Sequence, residues 1–596
     1  MVAAFDRTNV ALNAAPSLAR RWKGWLLRNE AVRGYVLLSP TLVVVFALMV
    51  APLMAMVGLS FATQDYINID FGFSLQNYWT IFEPSSKAAY FLGIPFYLNK
   101  PIYLLLLFKS ILISLGSTIA VILLAYPMAY FLAFRVTRHK ITWLILITVP
   151  FLTSYLLRVF AWKVILGFNG VINSGLMSVG LVEKPLAFLL YNPTSVIITL
   201  SHAWAAVAIL PIYVSLEKID RSLLEAGSDL GDSRLRRFLR ITLPLSMPGV
   251  IAAALLVFIP TVGDYITPTL VGGTNGIMIG NVVQSLFGKA SNYPLGAAVS
   301  IVVMTVITIL VCVFLWRFGS RATSRAEGAV TTRNAPARFD LLAVYAILYL
   351  VFLYGPVLLL PVFSFNDAIF AAFPLKGFTL QWYGQMLSNG PLKAALYSSL
   401  KVGAAAAAVS TVLDVFAAKP VTRYRLPFRA PILGLILLPL VVPSIILGIA
   451  LLTLVVKVLN IEPSLYTIGA AHVLICVPFA MLVMISRLEG FDKSLEEASQ
   501  DLGESAWMTF WRVTLPLAMP GLVASMLLCF TTSFDEFLLA FFLAGNEATL
   551  PLYIWGQLRF PNQLPSVMAL GSCILVGSFT MVVVSERLRR RGLATP

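Results

Sequence analysis

Histidine and cysteine are nearly missing from this chain, with three histidines and four cysteines among 596 residues. His139, His202 and His472 are isolated and none belongs to an HExxH pattern, so a histidine-based metal site has no material; each is expected in a loop or in helix packing. Cys312, Cys476, Cys529 and Cys573 lie within apolar runs without CxxC spacing, which excludes a disulfide framework or metal site and leaves ordinary burial. A GxxxxGK[ST] loop is missing too, and with it any means of cradling nucleotide phosphates. Charge is scarce: Asp, Glu, Lys and Arg make up 12% of the chain against 59% hydrophobic residues, and mean hydropathy is +0.87. A soluble core cannot absorb that much apolar surface, so the chain reads as an integral membrane protein.

What is present is a series of twelve apolar runs, starting near Tyr35, Pro101, Ile141, Pro193, Met247, Tyr293, Leu341, Ala395, Pro431, Tyr466, Met519 and Pro565. Each is long enough for the roughly 20 residues a spanning helix needs, which excludes a β-barrel. Residues 1–33 are basic and only mildly apolar, and the first apolar run is span-length, so no cleavable signal peptide is expected. With alternate loops on alternate sides, 31 of the 43 Lys and Arg fall on the side of the N-terminus. That asymmetry puts both tails in the cytoplasm and accounts for the +16 formal charge without a nucleic-acid partner.

A polar stretch breaks the pattern twice. The segment 222-SLLEAGSDLGDSRLRRFLRITLPLSMPG-249 returns as 494-SLEEASQDLGESAWMTFWRVTLPLAMPG-521; between 219–250 and 491–522 the offset is 272 residues, with 18 identities in 32 positions. A weaker echo pairs 73-FSLQNYW-79 with 378-FTLQWYG-384 at an offset of 305, leaving 33 extra residues in the first half, most of them expected around 83–104. Six spans per half is an even number, so the halves share one orientation as parallel repeats, with the pathway expected between them. The divisions are an N-terminal tail 1–33, a first repeat 34–317 with its polar loop at 219–249, a linker 318–339, a second repeat 340–586 with its loop at 491–521, and a tail 587–596. The join 317-RFGSRATSRAEGAVTTRNAPARFD-340 reads as a flexible cytoplasmic linker.

Each polar copy reads as helix, tight turn, helix. Ser222 with Glu225, and Ser494 with Glu497, fit a capping box. Gly231 and Gly503 suit a left-handed turn, and Ser233 and Ser505 suit the cap of a second helix. That helix carries an apolar stripe, Leu235, Phe238 and Leu239 or Phe510 and Val513, and Pro244 with Pro248, or Pro516 with Pro520, is expected to stop it before the next span. Paired projections on one face favour a partner of matching two-fold symmetry.

The pattern E-A-x-x-x-x-G followed by I/V-x-L-P resembles the EAA loop of bacterial ATP-binding-cassette importer permeases, whose coupling helix seats in a groove of the ATPase. Glu225, Ala226, Gly231, Leu243 and Pro244 match in the first half, and Glu497, Ala498, Gly503, Leu515 and Pro516 in the second; the usual third alanine is Gly227 or Ser499. The resemblance implies an all-α membrane protein of about twelve transmembrane helices, two parallel six-helix repeats of the type I importer permease fold, in the bacterial inner membrane. It implies a transporter subunit and not an enzyme. Its partners would be two copies of a cytoplasmic ATPase carrying ATP and Mg, and a periplasmic or lipid-anchored solute-binding protein; the chain itself would hold no cofactor and no metal.

Within that family, 150-PFLTSYLLRVFAWKVILGFNGVINSGL-176 and 263-GDYITPTLVGG-273 look like the first spermidine/putrescine-type permease, and 533-SFDEF-537 with 549-TLPLYIW-555 like its companion. Fusion of both halves is familiar instead from ferric-ion and thiamine permeases. The residues favour a cation: Asp264 aligns with Glu536 through the 272 offset, Asp535 precedes it, and all three sit roughly 20 Å up a helix from the inner proline. Two readings stand, a pathway lining or acids that cap early-ending spans. Tyr265 and Phe537 beside them suit cation–π contact with an ammonium group. Arg158 and Lys163, at the outer end of the third span, either pair with these acids, contact a binding protein or, as the favoured reading, snorkel to the interface, while Asp414 either pairs with Lys419 or reaches the interface. The rivals are an ion-driven secondary carrier, against which 134-FRVTRHK-140 lacks the Gly-x-x-x-Asp-Arg-type signature, and an intramembrane enzyme, for which no nucleophile–base pair exists.

Overall fold

The computed structural model describes residues 29–66, 68–137, 139–318, 341–369 and 375–592, with side chains to residue 580 apart from Leu152. The N-terminal tail to residue 28, the linker from 319 to 339 and the last tail residues, 593–596, lie outside the described residues.

A backbone in hydrocarbon has no water to bond, so each apolar run satisfies its amides within a helix. Eleven described helices are long and apolar enough to span a membrane, and a twelfth, Arg429–Leu440 with Ser444–Val458, is broken in the middle. The elements are α1 (Glu30–Ser60), α2 (Ile102–Phe134), α3 (Lys140–Thr148), α4 (Tyr155–Leu166), α5 (Pro193–Glu217), α6 (Arg221–Asp229), α7 (Arg234–Val262) and α8 (Tyr293–Phe318). The second half has α9 (Leu341–Ser364), α10 (Gly390–Arg423), α11 (Arg429–Leu437), α12 (Ser444–Leu452), α13 (Leu465–Glu489), α14 (Ser494–Asp501), α15 (Ala506–Asp535), α16 (Leu538–Leu543), α17 (Leu550–Gln557) and α18 (Leu564–Gly592). Polar residues inside α2 are absorbed locally: Ser110, Ser117 and Thr118 each donate to a carbonyl four residues back, at 2.7–2.9 Å.

The duplication runs deeper than the polar loops. α3 and α11 both start after a residue in the left-handed region, His139 (φ 62) and Phe428 (φ 57), 289 positions apart, and α4 and α12 start 289 apart as well. An offset that falls from 305 to 289 and then to 272 divides the 33 extra residues of the first half into 16 before His139 and 17 after it. The expectation that most of them lie at 83–104 is therefore corrected. Residues 84–98 form an antiparallel hairpin, β3 (Pro84–Phe91) with β4 (Ile94–Leu98), and the second insertion holds the short helix Val171–Ser178 before α5. A smaller hairpin pairs β1 (Thr63–Asp65) with β2 (Asn68–Asp70).

Packing does not follow the two halves. Of the described residues, those within Met1–Ala51, Val402–Pro439 and Gly469–Ser533 form one compact unit; those within Pro52–Lys401, Leu440–Ile468 and Phe534–Pro596 form the other. In the first, α1 lies among second-half helices, where the Thr41 hydroxyl donates to Leu413 O at 2.7 Å and Leu38 packs with Leu413, Ala417 and Val421. In the second, α9 lies among first-half helices: Tyr345 and Tyr354 donate to Leu124 O and Leu146 O at 2.6 and 2.9 Å, and His202 Nε2 meets Leu353 O at 3.1 Å. Each half thus lends its first span to a core built mainly by the other.

The prolines after the polar loops do not stop the second loop helix, as the sequence suggested; α7 and α15 run through them, each beginning 13 residues before the apolar run read at Met247 or Met519. A π turn precedes each proline pair, at Phe238–Thr242 and Phe510–Thr514, with Leu243 N–H reaching Phe238 O and Leu515 N–H reaching Phe510 O. The wider turn accommodates the proline ring that a regular i→i−4 ladder would reject.

Candidate functional site

The two polar loops share one geometry. α6 ends in a Schellman closure, Gly231 N–H to Ser228 O (3.0 Å) and Asp232 N–H to Gly227 O (3.0 Å); α14 repeats it with Gly503 to Gln500 (2.9 Å) and Glu504 to Ser499 (3.2 Å). The closure demands φ values of +83 and +92 at Gly231 and Gly503. Ser233 and Ser505 then cap the next helix, accepting from the N–H of Arg236 and Met508. The helix starts differ from the capping box read at Ser222 and Ser494. Asp220 accepts the Ser222 N–H at 2.9 Å and Asp492 the Ser494 N–H at 3.0 Å, a carboxylate two residues upstream taking the free donor. That backbone bond, helped by the Ser494 hydroxyl, holds the Asp492 carboxyl below its usual range.

Glu225, Ala226, Glu497 and Ala498 are exposed, while Leu243, Pro244, Leu515 and Pro516 open the spans beyond the π turns. Gly227 is buried, and a Cβ there would stand 2.8 Å from the flexible end of Ile241, Cδ1; Ser499 instead bonds Thr509 Oγ1 at 3.1 Å. Leu230 and Leu502, which the sequence reading passed over, are each 88% exposed beside the turn glycines. Their 272-residue spacing was the available signal. Beneath the first loop is an open cavity of about 260 Å³ lined by Phe134, Arg221, Leu224, Glu225, Ser228 and Arg237. In the second loop Glu496, in the position of Leu224, pairs with Arg423 at 3.5 Å and accepts the Thr514 hydroxyl at 2.5 Å.

The three acids lie together in the larger unit, and each takes the free amides at a helix start. Asp264 accepts from Ile266 N–H (2.9 Å) and Thr267 N–H (3.5 Å), Asp535 from Tyr155 N–H at the start of α4 (3.1 Å), and Glu536 from Leu539 N–H in the first turn of α16 (2.9 Å). The Tyr155 hydroxyl donates to Asp264 at 2.6 Å and accepts from Thr267 at 2.8 Å. Arg158 is buried, not snorkelling: it donates to Ala203 O at 2.9 Å, stacks 5.0 Å from the Phe151 ring and has Asp535 as its acidic neighbour. Beside the acids, Tyr265, Phe537, Phe541 and Trp555 form an aromatic cluster with centroids 5.4–6.3 Å apart. Tyr265 Oη and Trp555 Nε1 are buried there without a hydrogen-bond partner. Gly280 lets this region close, since a Cβ there would fall 2.8 Å from Gly263 O.

The family profile described as "Binding-protein-dependent transport system inner membrane component" matches residues 21–324 and again 410–592. The chain belongs to that family. Its two halves are the two helical repeats of an ABC importer permease. The permease is 34% identical over 277 residues to the spermidine/putrescine transport system permease protein PotB of Escherichia coli K12, covering 46% of this chain and 94% of PotB. It is 33% identical over 249 residues to PotC of the same organism, covering 42% of this chain and 91% of PotC. A crystal structure of a bacterial ABC transporter involved in the import of the acidic polysaccharide alginate aligns over 42% of this chain and 94% of that one, with 18% identity and a TM-score of 0.34.

Three further buried groups of the permease have partners within the helix packing. Cys476 and Cys529 direct their thiols to one another's carbonyls at 3.4 and 3.6 Å, and His472 Nδ1 meets Ser533 Oγ at 2.7 Å. Asp414 is an exception and corrects both expectations for it. It is fully buried, its polar neighbour is the Ser525 hydroxyl, which donates to Ala480 O at 3.2 Å, and Lys419 lies over the Phe510 ring at 4.7 Å. Among the described residues no three His, Cys, Asp or Glu converge as metal ligands.

Proposed function

We propose that this permease is the membrane part of an ATP-driven importer that passes a spermidine- or putrescine-like cation from a periplasmic or lipid-anchored binding protein to the cytoplasm by alternating access. Both tails and both EAA loops face the cytoplasm, the repeats occupy 34–317 and 340–586, and two ATPase subunits carrying ATP and Mg dock on Glu225, Ala226 and their counterparts Glu497 and Ala498. The observation that carries the coupling role is the pair of identically closed loops with exposed Leu230 and Leu502, apolar side chains with no use in water. Closure of the ATPases is transmitted because α7 and α15 continue from the loop helices into the membrane without a break. The substrate class is supported by the likeness of the two halves to PotB and PotC, and by carboxylates set beside an aromatic cluster, the chemistry that suits a desolvated ammonium.

The deciding experiment is ATPase activity of the permease with its co-purifying ATPase in nanodiscs, with binding proteins loaded with putrescine, spermidine, ferric ion or thiamine. Stimulation by a polyamine-loaded protein alone is expected. Stimulation only by another loaded protein keeps the importer and replaces the substrate; transport without any ATPase turns the reading to a secondary carrier.

A further inference from the structure

We propose that the hairpin β3–β4, which has no counterpart among the described residues of the second half, is a membrane-interface anchor that lies against the bilayer beside α2. Its root is pinned where Asn99 donates its N–H to Glu83 O and its amide to Glu83 Oε2, both at 2.8 Å, just before α2 begins at Ile102. The tip is a two-residue turn, Leu92 (φ 50) and Gly93 (φ 81), both left-handed as a tight hairpin requires. From that root the strands fold back along the helix: Phe91 and Phe96 set their rings 6.1 and 6.3 Å from Phe108. Phe108 is six residues beyond Ile102, so the hairpin reaches about 9 Å along the α2 axis at 1.5 Å per residue. The tip therefore points into the depth of the span and not away from it.

The face of α2 it covers continues as lipid-exposed surface. Leu115, Ile119 and Leu123 follow Phe108 by 7, 11 and 15 residues, one stripe of the helix, and are 47%, 51% and 68% exposed. The hairpin turns its other side outward with Tyr90, Tyr97 and the tip Leu92, 69%, 57% and 75% exposed. Its charges stay at the root, Glu83 just before β3 and Lys87 in the first half of it. Aromatics and a leucine outward, charges held back at the root, and an edge continuous with a lipid-facing stripe fit the headgroup–acyl boundary, where Tyr is favoured. A soluble binding protein would instead meet the root, the part of the hairpin farthest from the middle of the span.

The test uses the assembled importer in nanodiscs, with the exposed Cys312 and Cys573 changed to Ser and a spin label attached at Leu92→Cys or Lys87→Cys. Collision with oxygen, which partitions into lipid, is compared with collision with a water-soluble nickel chelate; retained ATPase activity checks assembly. We expect an oxygen-to-nickel ratio at Leu92 several-fold above that at Lys87. Equal, water-like ratios at both positions overturn the proposal. So does a water-like Leu92 that becomes immobile only when the binding protein is added, which would assign the hairpin to that partner.

Discussion

Gly231 and Gly503 offer a clean perturbation, because a Cβ at either would meet nothing within 4 Å while the backbone stands at φ +83 or +92. Any side chain there pays in torsion alone, about 1–2 kcal/mol for an ordinary L-residue in the left-handed region. Asn tolerates that region and Val does not. Since α6 and α14 are exposed and end in the Schellman bonds, the cost falls on loop closure and not on the membrane core. An opening penalty of that size lowers the closed-to-open ratio of the turn by a factor of about 5–30, the most by which the closed population can fall. Gly231→Val with Gly503→Val should therefore cut substrate-stimulated ATP hydrolysis in nanodiscs by up to that factor, with little change in the thermal midpoint of the permease, while Gly231→Asn with Gly503→Asn keeps most of the activity. Equal activity of the Val and Asn pairs would refute the argument, and so would an Asn pair as damaged as the Val pair.

Other expectations follow from the same geometry. Glu225→Ala and Glu497→Ala should each abolish uptake while the protein remains folded by size exclusion; uptake intact in both would remove the docking role. Arg423→Phe or Glu496→Leu alone should destabilise by about 1–3 kcal/mol, since each strands a largely buried charge, whereas the double change copies Phe134 and Leu224 of the first half and should recover most of the loss in a thermal melt. A double variant no better than the worse single would sink that pairing. Asp414→Ala should raise stability by about 1–3 kcal/mol, because a buried carboxyl with only the already engaged Ser525 hydroxyl beside it is replaced by the residue found 289 positions earlier, the buried Ala125; a lower melting midpoint would mean the Ser525 contact outweighs the cost of burial. Tyr155→Phe removes the hydroxyl bonded to Asp264 and should slow polyamine uptake, as should Asp264→Asn and Glu536→Gln; normal uptake in all three would leave the acids as helix caps only.

The coupling loops were legible because their signals are local: Gly231 and Gly503 need no tertiary context to demand a left-handed turn, and Ser233 and Ser505 cap the next backbone turn. The cap at Asp220 was missed because Ser222 also sits three residues before a glutamate, and only the path of the chain decides which oxygen reaches the free amide. Periodicity and the 272-residue echo gave the spans, but the π turns before Pro244 and Pro516 leave no mark in hydropathy, so helices that continue looked like helices that end. Asp264, Asp535 and Glu536 were found as a group by composition and depth. Their partners Tyr155 and Leu539 could not be, since the break that frees those amides depends on how three helices meet. Arg158 reads as a snorkelling residue until the Ala203 carbonyl is seen facing it.

The exchange of first spans bears on how the protein is made. Thr41 leaves the ribosome 372 residues before its partner Leu413 exists, an interval of about 20–75 s at 5–20 residues per second. During that time α1 is in the membrane with its buried face, Leu38 and Thr41, against lipid or a chaperone. Tyr345 on α9 meets the opposite situation, emerging 221 residues after Leu124 has been laid down. The contacts therefore form in sequence: α9 can dock on the first-half helices while the chain is still being extended, whereas the contacts of α1, and those of α9 with α18, must wait for the C-terminal spans. Truncation after α9 should leave α9 docked on the first-half helices and strand α1 as a target for quality-control proteolysis.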